Sequence, residues 1–247
     1  MKVLIIGDVM GKPGRDAMKE FLDKKKNDYD FVIVNGENAA AGFGITPKIA
    51  DEFFELGVDV ITSGNHIWDK KELYPYLDEN RNILRPLNYP KGVPGFGYTI
   101  KENGKGEKIA VINIQGRVFM PEVDSPFQRI EEAIEEIKKE TKNIIVDFHA
   151  EATSEKLAMG WYLDGRVSAV YGTHTHVQTA DERILEKGTG FINDVGMTGS
   201  HDSIIGMTIE TVLPKFLTSL PSRFEVATGN VKVNGIELHI DKEGSCK

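Results

Sequence analysis

Five apolar runs rich in Val and Ile end in side chains that bind cations well. Asp8 closes the first, Glu37 and Asn38 the second, Asn65 and His66 the third, His149 the fourth, and His174 with His176 the fifth. Taken singly, each has an ordinary explanation. Asp8 after Gly7 suits a turn, Glu37-Asn38 suits a turn with a helix cap, and Asn65 suits a left-handed turn. A lone His149 is more often an interior hydrogen-bonded histidine than a ligand. Taken together they point elsewhere. Four of the six histidines fall at these ends, beside two carboxylates and two amides. Imidazole and carboxylate donors without thiolate suit iron, manganese, zinc or nickel. The donors outnumber the needs of one tetrahedral ion, and two ions sharing a bridging carboxylate would form the clamp suited to phosphoryl transfer.

Such residues converge only if the runs are neighbouring strands. In open α/β sheets the ligand crevice lies beyond the carboxyl ends of the strands. The pattern predicts strands at Lys2 to Val9, Phe31 to Asn38, Val58 to Asn65, Ile109 to Gly116, Asn143 to Ala150, Ser168 to His176 and Gly190 to Gly196. Helices are expected from about Arg15 to Lys26, from Thr46-Pro47 (N-cap and first-turn proline) to Leu56, from Asp69 towards Leu77, over RIEEAIEEIKKE, and over Leu213 to Leu220. Asn80 to Gly106, dense in turn residues, has room for short edge strands, and VKVNGIELHI reads as a hairpin turning at Asn-Gly. His174 and His176, two apart on an extended strand, would point to one side. With no repeat, linker or low-complexity segment, a single α/β domain over 1–247 is expected.

The totals narrow the function. The 247 residues are 40% hydrophobic and 28% charged, with a formal net charge of -8. A sequence-independent duplex binder needs a basic face, which this balance argues against. An anionic small substrate remains compatible, since bound metal supplies local positive charge. The one cysteine, Cys246, rules out a disulfide framework and a thiolate-rich metal site. The short apolar N-terminus does not read as a signal peptide, and no run approaches membrane-spanning length, so a cytoplasmic protein is expected.

The motifs Gly7-Asp8-Val9-Met10-Gly11, Gly36-Glu37-Asn38, Gly64-Asn65-His66, the lone His149 and Gly172-Thr173-His174-Thr175-His176 resemble, in order and placement, those of the calcineurin-like metallophosphoesterases. Within that superfamily GDVMGKPGR, VNGENAAAGFGIT, TSGNHIWD and YGTHTHVQTAD look like the YmdB-like branch of bacterial phosphodiesterases. The resemblance implies a four-layer α/β/β/α sandwich and a di-metal site, most often iron, with manganese, zinc or magnesium as alternatives. It also implies hydrolysis of cyclic nucleotides, 2′,3′-cyclic to 3′-nucleotides and also 3′,5′-cAMP. The expected partners are a small-molecule phosphodiester and, as a homo-oligomer, further copies of the chain.

The chain departs from the superfamily pattern twice. Met10 stands where a ligand histidine is usual, and Glu37 where the bridging aspartate is. A thioether is a poor ligand for borderline ions, and the carbonyl oxygen of Asn38 is available to restore the count. The resemblance therefore implies Asp8, Glu37, Asn38 and His176 at one metal, and Glu37, Asn65, His149 and His174 at the other. A metal-bridging hydroxide would attack phosphorus in line, with His66 as general acid. A broad-specificity phosphoesterase and a non-catalytic metal-bound scaffold are the rival readings. The Lys12/Arg15 stretch is expected to be a solvated basic loop. The segment Asp194 to Gly206, with His201, fits a pocket lining and a surface loop equally.

Overall fold

The computed structural model describes residues 1–247. The first apolar run divides in two. β1 (Lys2–Ile6) is buried along its last four residues, after which Gly7 donates its N–H to Asn234 O at 3.0 Å and β2 (Asp8–Val9) enters another sheet. α1 (Gly11–Lys25) follows at once, so Lys12 and Arg15 lie at the start of a helix and not in the expected loop. Pro13 is tolerated there because first-turn N–H groups have no intrahelical partner.

β3 (Phe31–Asn35) leads to α2 (Pro47–Glu55), capped by Thr46 Oγ1, which accepts from Ile49 N at 3.3 Å. β4 (Val60–Thr62) runs into a 3₁₀ turn at Asn65–Trp68, and α3 (Leu73–Glu79) begins later than Asp69, which is engaged with His66 instead. β5 (Tyr98–Glu102), β6 (Lys108–Gln115), α4 (Pro126–Ile137) and β7 (Ile144–His149) come next. α5 (Thr153–Leu163) has no counterpart among the expected helices. It buries Lys156 and leaves Trp161 and Tyr162 exposed, which inverts the usual amphipathic pattern. β8 (Ala169–Thr173), β9 (Arg183–Ile184), β10 (Gly190–Ile192), β11 (Met197–Ser200), α6 (Ile209–Thr218), β12 (Val231–Lys232) and β13 (Gly235–His239) complete the chain.

Three sheets result, with strand orders β13-β1-β3-β4, β5-β6-β7-β8-β10-β9 and β12-β11-β2. The hairpin expected at Asn234-Gly235 does not form. β12 pairs with β11 and β13 with β1, so the chain passes from one sheet to another at that point. Gly235 is needed for close approach rather than for a turn, because a Cβ there would lie 2.2 Å from Ile5 O.

Strand alternation sorts the core into clusters. Leu4, Ile6, Val32 and Val34 pack with Met18, Leu22 and Phe53 of α1 and α2. Val3, Ile5 and Ile33 meet Val111, Ile145 and Tyr171 of the six-stranded sheet. Ile112, Val146 and Phe148 pack with Ile130, Ile134 and Met159 of α4 and α5. Strands covered on both faces become near-continuous apolar runs, and every residue of β7 is buried, Asp147 and His149 included. No helix is long and apolar enough to cross a membrane.

Candidate metal centre

The C-terminal ends of β3, β4, β7 and β8 bring their polar residues together around Glu37. His149 Nε2 lies 3.1 Å from Glu37 Oε1 and 3.1 Å from His174 Nδ1, and ligand atoms of these three residues fall within 4.8 Å of one another. The backbone N–H of His66 donates to Glu37 Oε2 at 3.1 Å. Gly64 permits this approach: a Cβ there would sit 2.1 Å from His149 Nε2 and 2.5 Å from Glu37 Oε2. Asn65, held between Gly64 and His66, has a buried Oδ1 with no hydrogen-bond partner.

A second group adjoins the first. His176 Nε2 lies 3.1 Å from Asn38 Nδ2 and 3.8 Å from Asp8 Oδ1, an oxygen that is buried and otherwise unpartnered. Asn38 Nδ2 also lies 3.4 Å from Glu37 Oε1, so Glu37 stands between the groups. His174 and His176 are not on a strand. β8 ends at Thr173, and the two histidines take φ of 95° and 66°, a left-handed conformation uncommon for residues other than glycine. Their rings consequently diverge, His174 toward His149 and His176 toward Asn38.

Strain of this kind persists only where the surroundings hold it. Here the hold is Asp194, whose Oδ2 accepts from Thr175 Oγ1 at 2.6 Å, Thr175 N at 3.1 Å and Lys156 Nζ at 2.8 Å. Its Oδ1 accepts from Gly196 N at 2.8 Å. Both ends of this ion pair are buried. Ring orientation is fixed in the same way. Asp147 Oδ1 accepts from Thr173 Oγ1 at 2.7 Å, so that hydroxyl is left to accept His149 Nδ1–H at 2.9 Å and Nε2 faces the cluster. His176 donates Nδ1–H to Ile205 O at 2.9 Å, which turns its Nε2 inward too.

Crowding splits the proton affinities. Burial would raise Glu37, yet the adjacent His149 holds it down to about 2. Burial would lower His149, but Glu37, then Asp8 and Asp147, raise it to about 9. Burial together with the charge on His149 drives His174 down to about 3. Burial pushes Asp8 up to about 6 against the pull of His176 and His149.

Orphaned buried oxygens on Asp8 and Asn65, with inward-facing imidazole nitrogens and a carboxylate, make a donor set that fits borderline metal ions. Met10, by contrast, is buried with Met197, Met207 and Val212 as core. His66 keeps its ring outside the cluster. Its Nδ1 lies 2.8 Å from Asp69 Oδ2, and the ring lines a cavity of about 270 Å³ beside Glu37, Asn38, His174 and His176.

The segment Asp194 to Gly206 is both pocket lining and surface turn: Asp194 to Ser200 are buried, while His201 to Ile205 form a half-buried to exposed turn. It contains β11, and Ile204 and Ile205 line the same cavity. His201 faces elsewhere, toward Met197 O and Asn234. Lys12 pairs with Asp16 on its own helix, while Arg15 bonds the Ala39 carbonyl and so braces the loop after Asn38. The residues missed in the sequence are the supporting ones: Asp69, Asp147, Lys156, Thr173 and Asp194. One signal was available. Asp147 is a carboxylate within an apolar run, two residues before His149 and therefore on the same strand face.

The model of the family described as YmdB-like protein matches residues 4–247. The 2′,3′-cyclic-nucleotide 2′-phosphodiesterase of Bacillus subtilis (strain 168) is 55% identical over 98% of this chain and 92% of its own length. A crystal structure of a protein from Thermus thermophilus superposes with a TM-score of 0.95 at 46% identity, covering 100% of this chain and 96% of that one. One from Mycoplasma pneumoniae, described as a phosphatase, superposes with a TM-score of 0.92 at 37% identity, covering 100% of this chain and 90% of that one.

Proposed function

The chain belongs to the YmdB-like family, and from that premise we propose that it is a di-metal phosphodiesterase opening 2′,3′-cyclic nucleotides to 3′-nucleotides, with 3′,5′-cAMP as a further substrate. The observation that carries the reading is the pair of ligand groups meeting at Glu37, with unpartnered buried oxygens on Asp8 and Asn65. One ion would be held by Asp8, Glu37, Asn38 and His176, the other by Glu37, Asn65, His149 and His174. Asn38 would ligate through its carbonyl oxygen, with its amide turned over from the orientation that sets Nδ2 toward His176. Iron is the metal we favour, ahead of manganese, zinc or magnesium.

Ions bound there would supply Lewis acidity toward the phosphoryl oxygens and an activated water. The chain's own residues do the rest. Glu37 spans the two groups, Thr173 and the Ile205 carbonyl fix the two inward-facing imidazole nitrogens, and His66 gives a proton to the leaving ribose oxygen. Support for the role of His66 is its position on the cavity wall with Nδ1 taken up by Asp69, which leaves Nε2 for the substrate. The three core clusters agree with a four-layer α/β/β/α sandwich formed as one domain over 1–247. A cytoplasmic location and homo-oligomeric assembly belong to the same proposal.

The test is elemental analysis of purified protein together with turnover of 2′,3′-cAMP, 3′,5′-cAMP, a linear dinucleotide and p-nitrophenyl phosphate. Two ions per chain and fastest turnover of 2′,3′-cAMP to 3′-AMP are expected. His66→Ala should keep both ions and lose about 10²- to 10⁴-fold in kcat. A metal-replete chain that cleaves none of these esters would favour the scaffold reading instead. The Mycoplasma relative described as a phosphatase favours one second reading, a broader esterase, which would show as comparable turnover of the monoester.

A further inference from the structure

The cavity beside the metal centre has two unlike halves. One wall is the polar cluster; the other is apolar and comes from the chain between Ile204 and Phe224, including Phe216 and Phe224. α6 supplies part of this wall although folding gives it little reason to do so. Its one buried residue is Val212, while Phe216 is 74% exposed and lines the cavity. Phe43 also lines the cavity, edge-on to His66 with ring centroids 5.1 Å apart, so aromatic surface begins next to the proposed proton donor. Lys215 Nζ lies 5.1 Å from the Phe224 ring centroid, which sets a cation on the same wall.

A ligand that fits this cavity carries an anionic group at one end and a flat apolar face at the other. The volume of about 270 Å³ lies just below the usual range for small-molecule sites, which suits one nucleotide at most rather than a chain of them. We propose that the apolar wall is the base-binding subsite, with Phe216 stacking on the nucleobase of a nucleoside cyclic phosphate whose phosphate lies at the metal centre. This assignment rests on the phosphodiesterase reading above, and it makes Phe216 a specificity determinant for that reaction. Stacking on one aromatic ring is sequence-tolerant because every base has a π face, so the subsite selects nucleotides over base-free esters more than one base over another.

Phe216→Ala, in the full-length metal-replete protein, tests this against two five-membered cyclic esters, 2′,3′-cAMP and base-free glycerol 1,2-cyclic phosphate. KM for 2′,3′-cAMP should rise about tenfold with kcat little changed, in line with the loss of one stacking contact. Kinetics on the glycerol ester should stay the same, and Phe216→Trp should restore KM. Leu217→Ala, equally exposed on the same helix but outside the cavity, should leave both substrates unaffected. Calorimetric binding of 3′-AMP and of inorganic phosphate provides a readout free of turnover. The variant should weaken 3′-AMP about tenfold and phosphate not at all. Equal loss on both esters, loss on neither, or a change confined to oligomeric state would overturn the assignment. Wild-type protein that binds 3′-AMP through Phe216 yet cleaves no cyclic ester would refute the reaction and leave the subsite standing.

Discussion

Replacing Gly64 by alanine tests the geometry of the centre most directly. The added Cβ would lie 2.1 Å from both Nε2 and Cδ2 of His149 and 2.5 Å from Glu37 Oε2. Non-bonded carbon contacts settle near about 3.5 Å, so the ring must retreat by roughly 1.4 Å. It has little room to do so, because His149 is fully buried and tied through Nδ1 to Thr173. Overpacking of this kind costs about 1–3 kcal/mol of stability, which a cooperative domain of this size usually survives. The chemistry is less tolerant. A displacement near 1 Å lowers turnover about 10²-fold, and disturbing a ligand's support lowers metal affinity about 10- to 100-fold. Thermal unfolding, metal stoichiometry and kcat on 2′,3′-cAMP should be measured together on Gly64→Ala, with Gly104→Ala as control, since a Cβ at Gly104 meets nothing within 4 Å. The expected result is a folded variant with metal depletion and about a hundredfold loss of kcat. Full metal occupancy with kcat within about threefold of the parent would refute the placement of His149 and Glu37 at the reacting centre.

The remaining perturbations separate support from ligation. Thr173→Val removes the hydroxyl that accepts His149 Nδ1–H, and should lower metal affinity about 10- to 100-fold, with activity recovered in excess metal; unchanged affinity in a metal titration would refute the relay. Metal uptake should release protons, because His149, raised to about 9, is protonated at pH 7 and its Nε2 proton occupies the ligand position. The sign follows: affinity rises about tenfold per pH unit between about pH 6 and pH 9, more steeply below about 6 where Asp8 is protonated as well, and levels off above about 9, as seen by calorimetry in buffers of different ionisation enthalpy, and no proton release at pH 7 would contradict the assignment. Asp194→Asn leaves Lys156 buried without its counter-charge and should cost about 3–5 kcal/mol in denaturant unfolding, whereas Lys156→Met with Asp194→Asn should recover part of that loss; equal stability of the single and double variants would argue against the pair. Glu37→Gln should deplete both ions and Asn38→Ala mainly one, by elemental analysis, and equal depletion in the asparagine variant would overturn the proposed division of ligands.

The central strands were legible because burial on both faces writes them as largely apolar runs, as in Phe31 to Val34 and Ile144 to Val146, whereas the short strands β9 and β11 carry no such run and were not expected. Thr46-Pro47 was legible for a local reason as well: a hydroxyl cap and a fixed φ act within one turn. Where the signals failed, a tertiary contact had overridden a local preference. Asn234-Gly235 has the composition of a tight turn, but its glycine is used to lie against Ile5 O while the chain changes sheets. α5 went unseen because Lys156, which periodicity places in solvent, is drawn inside by Asp194 from a segment 38 residues away. Sequence periodicity reports which face is apolar, and it is silent on a buried charge whose partner is distant.

The same distinction runs through the site. The residues proposed as ligands stand at strand ends, where topology alone makes them neighbours, and their donor types were enough to suggest metal. What turns neighbours into a centre is a set of bonds that sequence spacing does not announce. His174 and His176, two apart, would have pointed the same way on an extended strand, yet they diverge because both take left-handed backbone conformations. Each such conformation costs about 1–3 kcal/mol, so Thr175 between them must be held in place. Asp194 provides that hold with two hydrogen bonds to Thr175, and Lys156 neutralises the buried charge this leaves. A buried ion pair adds little to stability by itself. Its value here is geometric: it keeps one histidine directed to His149 and the other to Asp8 and Asn38, so that Glu37 stands between two groups of donors, as the proposed division of ligands requires.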